Sequence, residues 1–477
     1  MIELLLDNRV VVIRNASRAI LRSIEDITSY RVAGFMFSPA YKAGRWDGKE
    51  HLLSHSARRG YNAPVGLATD ICRLLAEEGE RYRVTFQTRL KNKRRRLAWN
   101  PEVTLRDYQR EAVRSLLGKP VPGSGILKMP IRSGKTRTAA RIIWRIGRPT
   151  LFIVPSQMLL YQTRDALATA LPEVGLGLVG DSGYDPSYIT VATIQTLAML
   201  RGKRGKRKPD PRYKELMARF DLVIFDECHH IRGDSGWRNV MAEADARFKV
   251  GLSATAYLDN DKENERGIIW LKATCGPIRV DIPVSRLVEA GHLMRQNVRM
   301  YRVTKPDMNG LKWSDTLRRA CIVENRRRNR LIALLAARAA RTMRVIIIAR
   351  LHDHISALCD AMDDLGLEYR TITGKDSSAA RIELVEGLAD GDYRVLIGSV
   401  LGEGIDIPEV ECVINAEGGS DVKSAVQRQR NLTVSAGKRQ AIFIDFYDDT
   451  NSYFRRHSEA RLEVYRSEDA YNVEIIG

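Results

Sequence analysis

"GILKMPIRSGKT" (residues 125–136) runs from an apolar segment into Gly134, Lys135 and Thr136, which end the phosphate-loop pattern G-x-x-x-x-G-K-[ST]. Met129 stands where the pattern's first glycine belongs, and Arg132 sits mid-loop where a small residue is common. The context is the one the pattern requires: a strand-like run before it and the helical pattern "KTRTAARIIWRI" after it. Ser133, Gly134 and Lys135 would then present backbone N–H groups at a helix N-terminus, where an anion is favoured. Lys135 would reach the terminal phosphates of a nucleotide, and Thr136 would hold Mg²⁺. The alternative is a turn that spells G-K-T and binds nothing.

Residues 221–230, "DLVIFDECHH", bear on that choice. An apolar run ends in two acids, Asp226 and Glu227. Phosphoryl transfer needs a carboxylate near the metal and a group that positions the attacking water, and the two acids suit those roles in that order. Around them short apolar runs alternate with helical patterns. "TLFIVP", "YITVAT", "DLVIFD" and "FKVGLSAT" read as buried parallel strands, with "QMLLYQTRDALATAL" and "IQTLAML" as helices between them. The pattern recurs further on: "RVIIIA", "EYRTIT", "YRVLIGS", "CVINA" and "AIFIDF" are strand candidates, and "HISALCDAMDDLG" and "SAARIELVEGLAD" are helices. The expected fold class is α/β, two tandem parallel-sheet domains behind a small α+β amino-terminal domain. The expected boundaries are 1–100, 101–290 and 291–477, in keeping with a chain of 477 residues.

The net charge of +19 points to a polyanionic partner. It gathers in "KNKRRR" (91–96), "RGKRGKRK" (201–208) and "RRRNR" (326–330), each of which reads equally as a nucleic-acid contact or a solvated surface. The arginines of "ENRRRNRLIALLAARAA" could line a nucleic-acid channel or form the wet face of an amphipathic helix. Cys72, Cys228, Cys275, Cys321, Cys359 and Cys412 are dispersed with no C-x-x-C spacing, so reduced thiols in a cytoplasmic protein are expected, with no structural zinc. No apolar run is long enough to span a bilayer, and the charged start "MIELLLDNRVVVI" does not read as a signal peptide.

Taken in order, the phosphate loop, D-E-C-H-H and "SAT" (253–255) resemble the motifs of superfamily 2 helicases. Others follow that family's order: "LRDYQREAV" (105–113), "LFIVPSQMLLYQ" (151–162), "TVATIQTL" (190–197), "VIIIARLHDHI" (345–355) and "VLIGSVLGEGIDIPEV" (395–410). The resemblance covers residues 101 to about 460 and implies RecA-like domains, ATP and Mg²⁺ as cofactors, and DNA as partner. It implies that Arg106 and Gln109 read adenine and that Ser253 and Thr255 couple hydrolysis to DNA. It also implies that Gly404 and Asp406 face the nucleotide and that Ser399 contacts a phosphate. The sixth family motif, Q-R-x-G-R-x-x-R, departs here to "QRQRNLTV" (427–434), with Arg430 for the glycine, Asn431 for the key arginine and Val434 for the last. Either Arg428 or a shifted Arg430 supplies the transition-state charge, or neither does and turnover is slow.

The front of the chain carries a narrower resemblance. "FMFSPAYKAGRWDGKEHLL" (35–53) and "APVGL" (63–67) are similar to the amino-terminal domain of the UvsW-like recombination and branch-migration helicases of bacteriophages. That implies action on single-stranded and branched DNA in a bacterial host's cytoplasm, beside phage recombination or replication proteins. Phe35, Phe37, Tyr41 and Trp46 lie among Lys42, Arg45 and Lys49. Aromatics with basic neighbours suit stacking on bases and holding phosphates. Phe35, Phe37 and Trp46 read equally as core residues of a small domain, so the basic residues are the expected DNA contacts. Two other readings stay open: a DNA remodeller in which bound ATP is only a switch, and an RNA helicase. D-E-C-H-H, in place of the Asp-Glu-Ala-Asp of DEAD-type RNA enzymes, speaks against the latter.

Overall fold

The apolar runs become strands for the reason their composition gives. "TLFIV" (Thr150–Val154), "ITVAT" (Ile189–Thr193) and "LVIF" (Leu222–Phe225) are buried at every position, as strands covered on both faces must be. A computed structural model describes the chain except for residues 58, 88–89, 203–207, 233–234, 258–264, 400, 402–406, 419–433 and 436–437. Two units result: Met1–Met129 with Gly134–Ile282, and Pro130–Ser133 with Pro283–Gly477. Among the described residues no helix is long and apolar enough to cross a membrane.

The first unit holds an eight-stranded RecA-like sheet. Its order is Gly183–Asp185, Leu176–Gly180, Ile189–Thr193, Thr150–Val154, Leu222–Phe225, Phe248–Ser253, Ser124–Lys128, Ile278–Asp281. Only the Gly183–Asp185 edge pairs antiparallel. Helices Lys135–Ile146, Gln157–Ala170 and Ile194–Arg201 fall where the 3.6-residue periodicity places them. The second unit is a seven-stranded parallel sheet in the order Arg370–Ile372, Val395–Gly398, Val345–Ile348, Cys412–Asn415, Ala441–Asp448, Gln296–Val303, Tyr471–Ile476. The five strands expected there are present. Gln296–Val303 and Tyr471–Ile476 are additions.

The arginine-rich helix, Arg326–Ala340, divides between interior and solvent. Arg326, Arg327 and Arg330 are exposed. Arg328 is fully buried and donates to Asp448 Oδ1 at 2.8 Å and to the Ala416 carbonyl at 2.8 Å. One arginine of that run is therefore an interior anchor, lining neither a channel nor a wet face.

The amino-terminal residues fold as a five-stranded sheet, Ser54–Ser56, Gly60–Pro64, Val10–Arg14, Ile2–Leu6, Tyr82–Phe86. Helices Arg18–Ile27 and Ala68–Glu77 contribute to its core, and Ser17 caps the first by accepting the Ile20 N–H. That core also takes in Ile269 and Ala273 of helix Glu265–Cys275. Trp270 Nε1 donates to the Tyr30 hydroxyl at 3.3 Å across the same contact. Gly66 makes the approach possible: a Cβ there would lie 2.2 Å from the Lys272 carbonyl oxygen and 2.5 Å from that of Ala273. Gly66→Ala is expected to cost about 1–3 kcal/mol, since a backbone must move. A thermal melt of the variant checks this, and an unchanged midpoint would contradict the packing described.

Candidate active site

The loop after strand Ser124–Lys128 is fixed at both ends. The buried Met129 donates its N–H to the Ser253 carbonyl at 2.9 Å, which ties the loop's start to the end of a neighbouring strand. Ser133 Oγ donates to the Pro130 carbonyl at 2.7 Å and closes the turn. Two residues are left-handed, Arg132 at φ 64° and Gly134 at φ 78°. Gly134 is required for a second reason: a Cβ would sit 2.3 Å from Gln109 Nε2. Gln109, only 1% exposed, accepts the Arg106 N–H through Oε1 at 2.9 Å and so caps helix Asp107–Leu117. Its amide is thereby held against the loop. The Arg106 guanidinium donates to the Tyr108 hydroxyl at 3.0 Å. Helix Lys135–Ile146 opens with Lys135 and Thr136 in its first turn.

Strand Leu222–Phe225 delivers the two acids to this loop. Asp226 is buried and pinned by its N–H to the Ile153 carbonyl at 2.9 Å. Glu227 takes φ 50°, a left-handed conformation costly for a non-glycine residue, and its N–H donates to Asp226 Oδ1 at 3.0 Å. Its Oε1 lies 3.3 Å from Lys135 Nζ. His229 Nδ1 is 3.4 Å from Glu227 Oε2 and 3.0 Å from Ser253 Oγ, which also accepts the Thr255 N–H at 3.0 Å. His229 was not among the residues singled out from the sequence. Its only signal there was its place in D-E-C-H-H.

The environment separates the two carboxylates. Burial, then the neighbouring Glu227 charge, pushes Asp226 up to about 6, with Lys135 opposing. Burial also works against ionised Glu227, but Lys135 and His229 together outweigh it and hold that carboxyl well below its ordinary range. The site thus pairs Glu227, held ionised by Lys135 and His229, with a buried Asp226 that takes up a proton more readily than an ordinary carboxylate.

Three families match the chain in order: "DNA helicase UvsW, N-terminal" over residues 2–87, "Type III restriction enzyme, res subunit" over 102–258, and "Helicase conserved C-terminal domain" over 326–430. The chain is a UvsW-like superfamily 2 helicase. A Rad25-named relative from Haloarcula marismortui is 27% identical over 366 residues, covering 75% of this chain and 55% of that protein. The ATP-dependent DNA helicase uvsW of Enterobacteria phage T4 is 22% identical over 436 residues, covering 84% of this chain and 81% of that protein. The structure of S. cerevisiae Dbp5 bound to RNA and ADP–BeF3 aligns at TM-score 0.53 and 16% identity, covering 80% of this chain and 94% of that one, a likeness of fold.

In this helicase the structure brings together Gln109, Gly134, Lys135, Asp226, Glu227, Ser253 and Thr255 within the first sheet's loops. Ser399, half-buried, follows strand Val395–Gly398 and donates its N–H to the Ile372 carbonyl at 3.2 Å. Gly404, Asp406, Arg428 and Arg430 lie outside the described residues, as does most of the 201–208 basic run. Lys42 and Arg45 are exposed beside helix Pro39–Lys42 of the amino-terminal region. Lys49 is half-buried and its Nζ pairs with Asp26 at 3.2 Å. The aromatics there divide. Phe35 packs edge-on against Tyr41 with ring centroids 4.7 Å apart, and Trp46 Nε1 donates to the Lys49 carbonyl at 2.7 Å. Phe37 is 74% exposed, so it is no core residue.

Proposed function

We infer that this helicase is an ATP-dependent motor on DNA, single-stranded and branched, serving replication, recombination or repair of a phage in its host's cytoplasm. The observation that carries the reading is Lys135 Nζ at 3.3 Å from Glu227, beside the buried Asp226 carboxylate. Residues 101–290 would form the ATP-binding domain, 291–477 the second motor domain and 1–100 the DNA-binding module.

The residues present fit ATP and Mg²⁺. Gly134 brings the loop against the Gln109 amide, where a Cβ would clash, and Asp226 is a buried carboxylate that a divalent ion would stabilise. Thr136 and Asp226 would hold the ion, which neutralises charge on the transferring phosphoryl group when bound. Gln109 and Arg106 would read the adenine, with Gln109 already oriented by its cap. Ser133, Gly134 and Lys135 hold the phosphates. Glu227, kept ionised, orients the attacking water and accepts its proton. His229 links Glu227 to Ser253 and thus to the segment ending at Thr255, a route by which hydrolysis couples to DNA contact. Arg428, with Arg430, supplies transition-state charge. On the amino-terminal side Met36, Phe37 and Tyr41 are exposed among Lys42 and Arg45, the pairing of flat surface and cation that suits an unpaired strand. The phage T4 relative named as an ATP-dependent DNA helicase supports the assignment.

A labelled fork tests this reading. ATP with Mg²⁺ is expected to release its strands, and an RNA fork is expected to respond poorly. No release, or equal release from RNA, would contradict it. The carboxylates add a pH dependence. An acid whose pKa is raised takes up its proton at a higher pH, and a proton on Asp226 competes with the metal. The Mg²⁺ needed for half-maximal hydrolysis is therefore expected to rise as pH falls through about 6. A requirement that is flat across that range would argue that Asp226 is not a metal ligand.

A further inference from the structure

The basic run 91–96 lies as a strap across one end of the first unit's large sheet. Asp221 accepts the N–H groups of Lys91 at 3.0 Å and Asn92 at 3.1 Å. The Arg95 N–H donates to the Gly147 carbonyl at 2.8 Å, and Trp144 Nε1 donates to the Leu97 carbonyl at 2.9 Å. Pro149, Tyr188 and Asp221 each stand at the start of a strand, whereas the phosphate loop and Asp226 follow strand ends. A five-residue strand spans roughly 17 Å, so the strap is far from the nucleotide residues.

Beneath the strap is a cavity of about 460 Å³ lined by Asn92, Lys93, Arg95, Ser187, Tyr188 and Arg219, among others. That volume suits a ligand of nucleotide size. The Arg95 guanidinium lies 4.7 Å over the Tyr188 ring, and Arg219 Nη1 donates to the Pro186 carbonyl at 3.2 Å. Backbone and ring contacts thus hold both guanidinium groups in place. Among the described residues Lys93, Arg95 and Arg219 make no ion pair with a carboxylate. Asp221 accepts the strap's backbone N–H groups and keeps its charge near Tyr188, and Asp245 pairs with Lys91 Nζ at 3.3 Å. Arg148 adds to the positive potential at Tyr188.

Lys93, Arg95, Arg148 and Arg219 outnumber the carboxylate beside them, Asp221, and such an excess of cations is relieved by a polyanion. Guanidinium groups on a rigid scaffold suit phosphate oxygens above other anions. We propose that this cavity and strap bind the phosphodiester backbone of a second arm of branched DNA, at the end of the sheet opposite the nucleotide residues. The proposal rests on the DNA reading above. A fork has more arms than one motor track can hold, and this surface gives another arm a place to dock.

The test uses the full chain and the triple variant Lys93→Gln, Arg95→Gln, Arg219→Gln, with affinity for a fork and for a single strand measured over about 50–200 mM salt. Each neutralised duplex phosphate contributes about 0.9 to the slope of log affinity against log salt. The fork slope is expected to become shallower by about two to three, with single-strand affinity and DNA-free ATP hydrolysis unchanged. Lys93→Gln alone, which removes no described contact, is expected to lower it by about one, so a misfolded triple variant leaves a test in hand. A fork slope equal to that of the unaltered chain would overturn the proposal, as would equal losses on fork and single strand. Unaltered chain that binds no DNA at all would instead overturn the DNA reading on which it rests.

Discussion

Glu227→Gln is expected to lower ATP turnover by about a hundred- to ten-thousand-fold while leaving ATP and DNA bound, the range a positioned general base contributes. The side chain keeps its shape, and Gln tolerates the same backbone. What goes is the negative charge that Lys135, 3.3 Å away, and His229 hold in the ionised form. A neutral amide can still accept a hydrogen bond from water but cannot take its proton. The loss should therefore fall on kcat. Steady-state hydrolysis beside equilibrium binding of a fluorescent ATP analogue separates the two quantities. Turnover near that of the unaltered chain would remove Glu227 from the role of positioning water.

Lys135→Ala is expected to act in two ways, because it removes one contact and unbalances another. The ammonium is the loop's cation for the terminal phosphates, and losing one such group costs about a hundred- to a thousand-fold in kcat. It is also the chief opposing charge for Glu227, so the Glu227 carboxyl should rise towards its ordinary range once the lysine is gone. Nucleotide affinity should fall along with turnover, unlike the glutamine variant. Since both residues act on one reacting group, the double variant should lose much less than the product of the single losses. Losses that multiply would mean that the two act independently, against the 3.3 Å contact.

The strands buried on both faces were legible because they are short, mostly apolar and β-branched runs, as in TLFIV, ITVAT and LVIF. Gln296–Val303 escaped because "QNVRMYRV" alternates buried and part-exposed positions and carries two arginines. Tyr471–Ile476, at the sheet's edge, has no buried position and alternates only between part-exposed and exposed. The site was legible as a set of motifs, since Lys135 and Glu227 stand 92 residues apart and only a parallel sheet's geometry joins them. The His229–Ser253 contact was not, because spacing along the chain says nothing of which ring nitrogen faces which hydroxyl. Phe37 deceived in the opposite sense: an aromatic beside other aromatics reads as core, yet it faces solvent. Nor could periodicity single out Arg328, whose burial depends on Asp448, 120 residues away.

The central claim is an ATP-driven motor on DNA, and ATP hydrolysis with no nucleic acid, with a single strand and with a fork tests it most directly, beside Lys135→Ala. The account predicts turnover that DNA stimulates and that the substitution abolishes. A chain that binds ATP and DNA yet hydrolyses no faster than Lys135→Ala would contradict it, and would leave the bound nucleotide as a conformational switch.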